Sequence, residues 1–393
     1  MTVGRVRWSS SGQARLVVGT VLLDTAGVLP VGLVGALAAP IRESMALTSG
    51  RLAAVVTGFF LTGSFTALLL GPRIDRVGPR RAAGAAGLVT VGAMLAVASL
   101  ARHWLALLVL ICLCGAAFSI TMPATNALLR ARIPAGRLAT VVSAKQCAVP
   151  VALLLAGLAV ATVESWRWAF VAALVVPVAG WWTLPRFPAP CRGADPGGSR
   201  SARRGVMRVG LSVGLASLLP GALTGFAVLT LRGGGLPAPV AGGVVIAANV
   251  LGIVVRLTAG VWADRVGSDG YRPVAFLMAA GAVGAVLLGV GSLPLLIAGA
   301  LLAYGFGWGW SGLTYFLVVR GSAEHAGSTS SVIQAGGMAG SAIGPLVMGL
   351  LLQVADYRWA WWCVAALTTV GAVVVARAAS AQRTSRSHDA SRR

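Results

Sequence analysis

From residue 274 to residue 319 the chain carries no charged side chain. A bilayer crossing takes roughly 20 predominantly apolar residues, so this run is too long for one crossing, and Gly291-Ser292-Leu293-Pro294 is the natural place to divide it. The same pattern extends along the whole chain, with apolar runs set apart by charged or turn-rich breaks. Twelve segments result, at approximately 15–39, 50–71, 81–100, 104–129, 138–162, 166–185, 207–231, 239–262, 273–291, 294–319, 327–353 and 358–377. Only 11% of the 393 residues are charged while 57% are hydrophobic, and a soluble domain carries about 25% charged residues. A water-facing surface cannot be built from so few charges. Soluble enzymes and nucleic-acid binders are excluded, in spite of a net charge of +22.

That charge is almost entirely arginine. Of the 32 basic residues 31 are Arg, and Lys145 is the single lysine. Counted over alternate connections, 24 Arg fall with the two termini, and six fall on the opposite side (Arg42, Arg51, Arg102, Arg167, Arg232 and Arg358). Positive loops stay on the cytoplasmic side, so both termini are expected there, in a multi-pass protein of the cytoplasmic (inner) membrane. Ala36-Leu37-Ala38 mimics a signal-peptidase site, but Asp24 within the apolar run argues against a cleaved signal. The connection 186–206 is rich in Arg, Gly and Pro and reads as a cytoplasmic linker between 1–185 and 207–377. Residues 378–393 read as a disordered cytoplasmic tail. Five cysteines without spaced pairs argue against a disulfide framework or a zinc site.

The two halves repeat. Gly71-Pro-Arg-Ile-Asp75-Arg76-Val77-Gly78 recurs as Gly260-Val-Trp-Ala-Asp264-Arg265-Val266-Gly267, and Ser143-Ala-Lys-Gln146 as Ser331-Val-Ile-Gln334. Trp166-Arg-Trp-Ala-Phe170 returns as Tyr357-Arg-Trp-Ala-Trp361, and Pro30 as Pro220. The offsets are 189, 188, 191 and 190 residues. Four matches at nearly one offset predict two six-helix bundles in the same orientation, related by a pseudo-two-fold axis: an all-α membrane protein of the parallel-repeat kind.

The segment Gly71-x-x-x-Asp75-Arg76-x-Gly78-x-Arg80-Arg81, between the second and third crossings, resembles the signature loop of the major facilitator superfamily. The second copy at 260–267 stands where that superfamily carries its own second copy. The resemblance covers nearly the whole chain and implies a secondary transporter that works by alternating access. It also implies that Asp75, Arg76 and Arg80, with Asp264 and Arg265 in the second copy, gate the protein through contacts between the halves. Gly71 and Gly78 suit a tight turn, Asp75 is expected at or near a helix start, and Arg81 and Arg73 fit the positive-inside rule alone.

Three charges fall inside apolar segments: Asp24, Lys145 and Arg256. Each costs roughly 2.5–3.5 kcal/mol at a helix centre, so such residues face a cavity, pair with one another or snorkel to the interface. At the repeat-related positions stand Gly214, Ile333 and Ala67, so the scaffold does not demand the charges. Two cations and one anion leave a formal +1, which favours an anionic substrate. Arg256-x-x-x-Gly260 also resembles the monocarboxylate-porter branch, where it implies carboxylate binding by the arginine; the first-crossing Lys of that branch is absent, and Asp24 stands in its region. Arg256 and Lys145 are therefore expected to bind substrate, and Asp24 to carry the coupling proton or to pair with Lys145.

Gln146 and Gln334 are repeat-related, and each reads as interhelical glue or as a substrate hydrogen-bonder. Asn249, seven residues before Arg256, shares its face and is expected in the site, and Tyr304, Trp308 and Trp310 are candidates to line it. Helix 11, with Gly336-Gly337-x-x-Gly340-x-x-x-Gly344-Pro345, has the small-residue spacing of close helix packing. Helix 5 lacks the Gly-rich motif of drug–proton antiporters, and helix 4 lacks their arginine, so multidrug efflux is the second reading. A membrane-embedded sensor is the rival from another class. His103, His325 and His388 lie in loops or the tail, which excludes a histidine proton relay. No P-loop is encoded, because the only lysine is Lys145. The expectation is a monomer, not an enzyme, with no metal or cofactor and with the bilayer and a small anionic molecule as partners.

Overall fold

The computed structural model describes residues 10–162, 165–185, 200–267, 270–322 and 325–390. Those residues are helical with short turns. In the N-terminal half come α1 (Ser10–Ala36), α2 (Ala38–Met45), α3 (Ser49–Val77), α4 (Pro79–Leu100) and α5 (Trp104–Arg132). A 3₁₀ turn (Ala135–Arg137) leads to α6 (Leu138–Gln146), α7 (Ala148–Thr162), α8 (Trp166–Ala172) and α9 (Val175–Thr183). The C-terminal half holds α10 (Arg200–Gly233), α11 (Ala238–Val266), α12 (Arg272–Val290), α13 (Leu293–Gly305), α14 (Ser311–Gly321), α15 (Ala326–Leu351) and α16 (Tyr357–Ala390). Among the described residues, ten stretches are long and apolar enough to cross a membrane unaided. The sixth crossing (α8–α9) and the tenth (α13–α14) are each made of two pieces, which completes twelve.

The breaks have sequence causes. Pro150 has no N–H for the carbonyl of Gln146 and its ring crowds that carbonyl, so the fifth crossing breaks at Cys147 between α6 and α7. In the tenth, Gly305, Gly307 and Gly309 loosen the helix where neighbours press close. A Cβ on Gly307 would stand 2.7 Å from Leu219 Cδ2, and one on Gly309 2.7 Å from Val255 Cγ1. The division of the uncharged run falls where expected, with Gly291 at φ 84° ending α12 and Pro294 in the first turn of α13.

The packing partners repeat between the halves. The first crossing lies against the fifth and sixth as the seventh lies against the eleventh and twelfth, and the third against the fourth as the ninth against the tenth. Across the middle, α3 packs on α15, and α11 on α6. On α15, Gly336, Gly340 and Gly344 lie so close to α10 that a Cβ on any of them would meet the carbonyl of Gly210, Gly214 or Leu218. The helix 11 glycines are thus a packing stripe. The repeated aromatic pairs are anchors. Trp166 Nε1 donates to Ser44 Oγ at 2.9 Å and Trp361 Nε1 to Thr230 Oγ1 at 3.0 Å.

Three expectations change. The signature segment is hardly a loop: α3 runs through Asp75 and Arg76 to Val77, and Gly78 alone (φ 96°, ψ 130°) separates it from α4. Only a residue without Cβ adopts that backbone readily, and Pro79 opens the next helix. Asp75 therefore sits in the last turn of its own helix, not at its start. Of the 186–206 linker, 186–199 lies outside the described residues, and α10 already begins at Arg200. The tail expected to lack order from 378 continues α16 to Ala390. No Gly or Pro interrupts residues 372–390, so no local breaker ends that helix; residues 391–393 lie outside the described part.

Candidate functional site

Each half sends one aspartate into the start of a helix in the other. Asp75 Oδ1 and Oδ2 accept from the backbone N–H of Gly327 (3.0 Å) and Ser328 (2.8 Å) in the first turn of α15. Asp264 Oδ1 and Oδ2 accept from Ala139 (3.0 Å) and Thr140 (2.8 Å) in the first turn of α6. A helix N-terminus offers unpaired N–H groups and the positive end of the dipole, so a carboxylate satisfies both. One turn earlier Gly71 faces Ser331 and Gly260 faces Ser143. A Cβ on either glycine would come within 2.6 Å and 2.7 Å, respectively, of the serine Oγ. Ser64 Oγ donates to the Ala335 carbonyl at 2.9 Å near mid-depth. These contacts close the halves together over the end that bears Gly78 and Gly267.

The arginines of the signature do other work. The Arg80 guanidinium lies 5.2 Å from the Trp181 ring centroid, a cation–π contact inside its own half. Arg76 and Arg265 are exposed at the same end, where a long cationic side chain reaches solvent or headgroups.

Deeper in the N-terminal half, Asp24 and Lys145 form a buried ion pair at 3.0 Å. Lys145 Nζ also donates to the Met122 carbonyl (3.0 Å) and to Asn126 Oδ1. An ammonium has three donors, and all are used. Thr125 Oγ1 donates to Asp24 Oδ1 at 2.9 Å. The expected second substrate cation is thus enclosed among α1, α5 and α6. Thr125 and Asn126 were absent from the sequence reading; the available signal was Thr121, Thr125 and Asn126 together inside an apolar segment.

Arg256 has a different setting. It is 1% exposed, its Nε donates to Ser311 Oγ at 3.3 Å, and its guanidinium lies 5.7 Å from the Trp308 ring centroid. Ser311 is held in turn, donating to the Trp308 carbonyl at 3.1 Å. Arg256 Nη2 is buried without a hydrogen-bond partner among the described residues. Among the described residues no carboxylate lies within 4.0 Å of the guanidinium, the Lys145–Asp24 pair being the salt bridge found there. Arg256 is carried by α11, which packs on α6 and α7 of the N-terminal half, so it lies at the seam between the halves.

The remaining candidates divide. Gln334 Oε1 accepts from the Tyr315 hydroxyl at 2.8 Å. Gln146 is buried with Nε2 unpartnered, as is the hydroxyl of Ser143 one turn before it. Asn249 Nδ2 gives one of its two N–H groups to the Val245 carbonyl of its own helix at 2.9 Å. Tyr304 does not line this site with its polar end: its hydroxyl donates to the Leu223 carbonyl of α10 at 3.1 Å. Trp310 Nε1 is turned to the Gly307 carbonyl at 2.7 Å. Ser311 and Tyr315 were missed because uncharged hydroxyls are common in apolar helices and give no signal alone.

The sequence profile described as Major Facilitator Superfamily matches residues 25–337 and 211–393. No curated protein sequence matches the chain. Among solved structures, the human organic anion transporter MFSD10 (TETRAN) superposes with a TM-score of 0.75 at 17% identity, covering 93% of this chain and 99% of that one. The proton:xylose symporter XylE, bound to 6-bromo-6-deoxy-D-glucose, gives a TM-score of 0.73 at 14% identity, covering 92% and 94%. At such identities the likeness is one of fold, and it agrees with the twelve crossings and paired bundles described above. With the profile spanning nearly the whole chain, the protein belongs to the major facilitator superfamily.

Proposed function

We propose that this protein is a secondary transporter that moves a small organic anion across the cytoplasmic membrane by alternating access, driven by protons. The observation that carries the reading is Arg256: a guanidinium 1% exposed, at the seam of the halves, with a buried Nη2 that takes no hydrogen bond among the described residues. A buried charge without a partner costs several kcal/mol, and a guanidinium fork suits a carboxylate. With Asp24 and Lys145 neutralising each other, the site keeps the single positive charge of Arg256. The human structural neighbour is named as an organic anion transporter, which accords with this reading, although its likeness is of fold alone.

Asp24 is the proposed proton carrier. If it is protonated, Lys145 still has the Met122 carbonyl and Asn126 as acceptors, so the ammonium is not stranded. By the arginine count, the end closed by Asp75 and Asp264 faces the cytoplasm. The two aspartates and their helix N-termini are the proposed gate, which must part for the site to open inward. The test is uptake of small organic anions into proteoliposomes under an imposed pH gradient. Accumulation that depends on the gradient is expected, lost in Arg256→Ala. Uptake by Arg256→Ala with unchanged apparent affinity removes the anchor, and full gradient-driven accumulation by Asp24→Asn removes Asp24 as the proton site.

A further inference from the structure

The repeat supplies an internal comparison that separates two glutamines. Gln146 and Gln334 occupy equivalent positions, yet Gln334 is tied to Tyr315 within its own half, while Gln146 Nε2 and Ser143 Oγ are buried and unpartnered. The register brings the open pair to Arg256. Asp264 meets Ala139 and Thr140, and Gly260 meets Ser143, with α6 and α11 running in opposite directions. One further turn, about 6 Å of rise, sets Arg256 level with the residues just after Ser143. The helix that follows Gln146 across the break, α7, packs on α11 as well. Ser143 Oγ also abuts Gly312, the neighbour of the Ser311 that holds Arg256. Three buried groups able to donate, from both halves, therefore share one depth, and among the described residues no carboxylate pairs with Arg256.

We propose that the anion held by Arg256 carries, beyond its charged group, a neutral hydrogen-bond acceptor oxygen, and that Gln146 and Ser143 hold that oxygen from the N-terminal half. This rests on the anion reading and adds a second contact to it. Such a ligand bridges the halves at the depth where they close, so its binding favours closure. Buried donors left unpaired disfavour a ligand that lacks the acceptor. Gln334, already engaged, takes no part in the discrimination.

The test uses the full-length protein in detergent and matched pairs of probes: two- to six-carbon monocarboxylates, each beside derivatives with one added hydroxyl or ketone oxygen, titrated by calorimetry. At least one derivative is expected to bind about tenfold or more tighter than its parent. Gln146→Leu and Ser143→Ala are expected to erase that preference, and Gln334→Leu to keep it. Without ligand, Gln146→Leu is expected to melt at the same temperature or higher, since it removes an unpaired buried amide. Parents and derivatives binding equally overturns the second contact and leaves the anchor standing. A preference that survives Gln146→Leu, or a melting temperature that falls in that variant, assigns Gln146 a structural role and likewise overturns the proposal. Binding of no probe to the folded protein overturns the anion reading and this one with it.

Discussion

At the scale of single residues, Lys145 and Arg256 differ in how many acceptors surround them. Lys145 meets a carboxylate, a carbonyl and an amide oxygen, whereas Arg256 meets one hydroxyl and the face of an indole. Removing one member of a buried ion pair leaves the other charge stranded, at a cost of about 3–5 kcal/mol, while replacing both by apolar residues of similar volume is close to neutral. Lys145→Met is accordingly expected to lower the melting temperature in detergent by several degrees, and Lys145→Met with Asp24→Leu to recover most of it. A double variant no more stable than the single one rules out that account. At Arg256 the conservative change is informative: Arg256→Lys keeps the charge and loses the fork. Its affinity for the proposed organic anion is expected to fall about tenfold or more, read by titration of the purified protein. That Arg256 is a charge within a crossing was legible from its place inside an apolar run whose repeat position is Ala67. That Lys145 is enclosed was not, because Met122 supplies a backbone carbonyl and Asn126 is one amide among many polar residues.

At the scale of elements, the interface is built twice from the same parts. An aspartate in the last turn of one crossing caps a helix in the opposite half, and a glycine one turn earlier lets a serine approach. A carboxylate at a helix N-terminus contributes about 0.3–1 kcal/mol, up to about 2 where partly buried. Asp75→Asn is therefore expected to shift the balance between closed and open states without unfolding either half, and to change substrate affinity by no more than a few-fold. Spin-label distances between α3 and α15 check it; an unchanged distance distribution with a large loss of binding contradicts a gating role. Gly71→Val drives two methyl groups toward Ser331 and is expected to widen the same distance more than Asp75→Asn does. The motif named both aspartates from sequence, yet placed Asp75 near a helix start. Two glycines seven residues apart looked like a loop, and only the tertiary packing of α3 on α15 carries the helix through it.

At the scale of the whole molecule, the proposed orientation predicts an accessibility pattern. Gly136, exposed in the turn before α6, and Ala238, exposed at the start of α11, lie at opposite ends. In a cysteine-free background, an impermeant thiol reagent added to intact cells is expected to label Ala238→Cys and to spare Gly136→Cys. The reverse pattern inverts the topology and with it the direction of the closed gate.

The number of crossings, the two halves and the residues that repeat between them were all determined by sequence alone. Each depends on composition and spacing along one strand of chain: about 20 apolar residues span a bilayer, and a duplicated bundle keeps its turn residues at a constant offset. Which buried polar group meets which was decided by tertiary structure. Asn126 and Met122 surround Lys145, Tyr315 takes Gln334, and Ser311 holds Arg256 while its Nη2 stays open. In each case the packing of separate helices brings one donor within about 3 Å of one acceptor. A hydrogen bond is that short-ranged, so two glutamines alike in the repeat can end with different partners, and no periodicity along the chain records the difference.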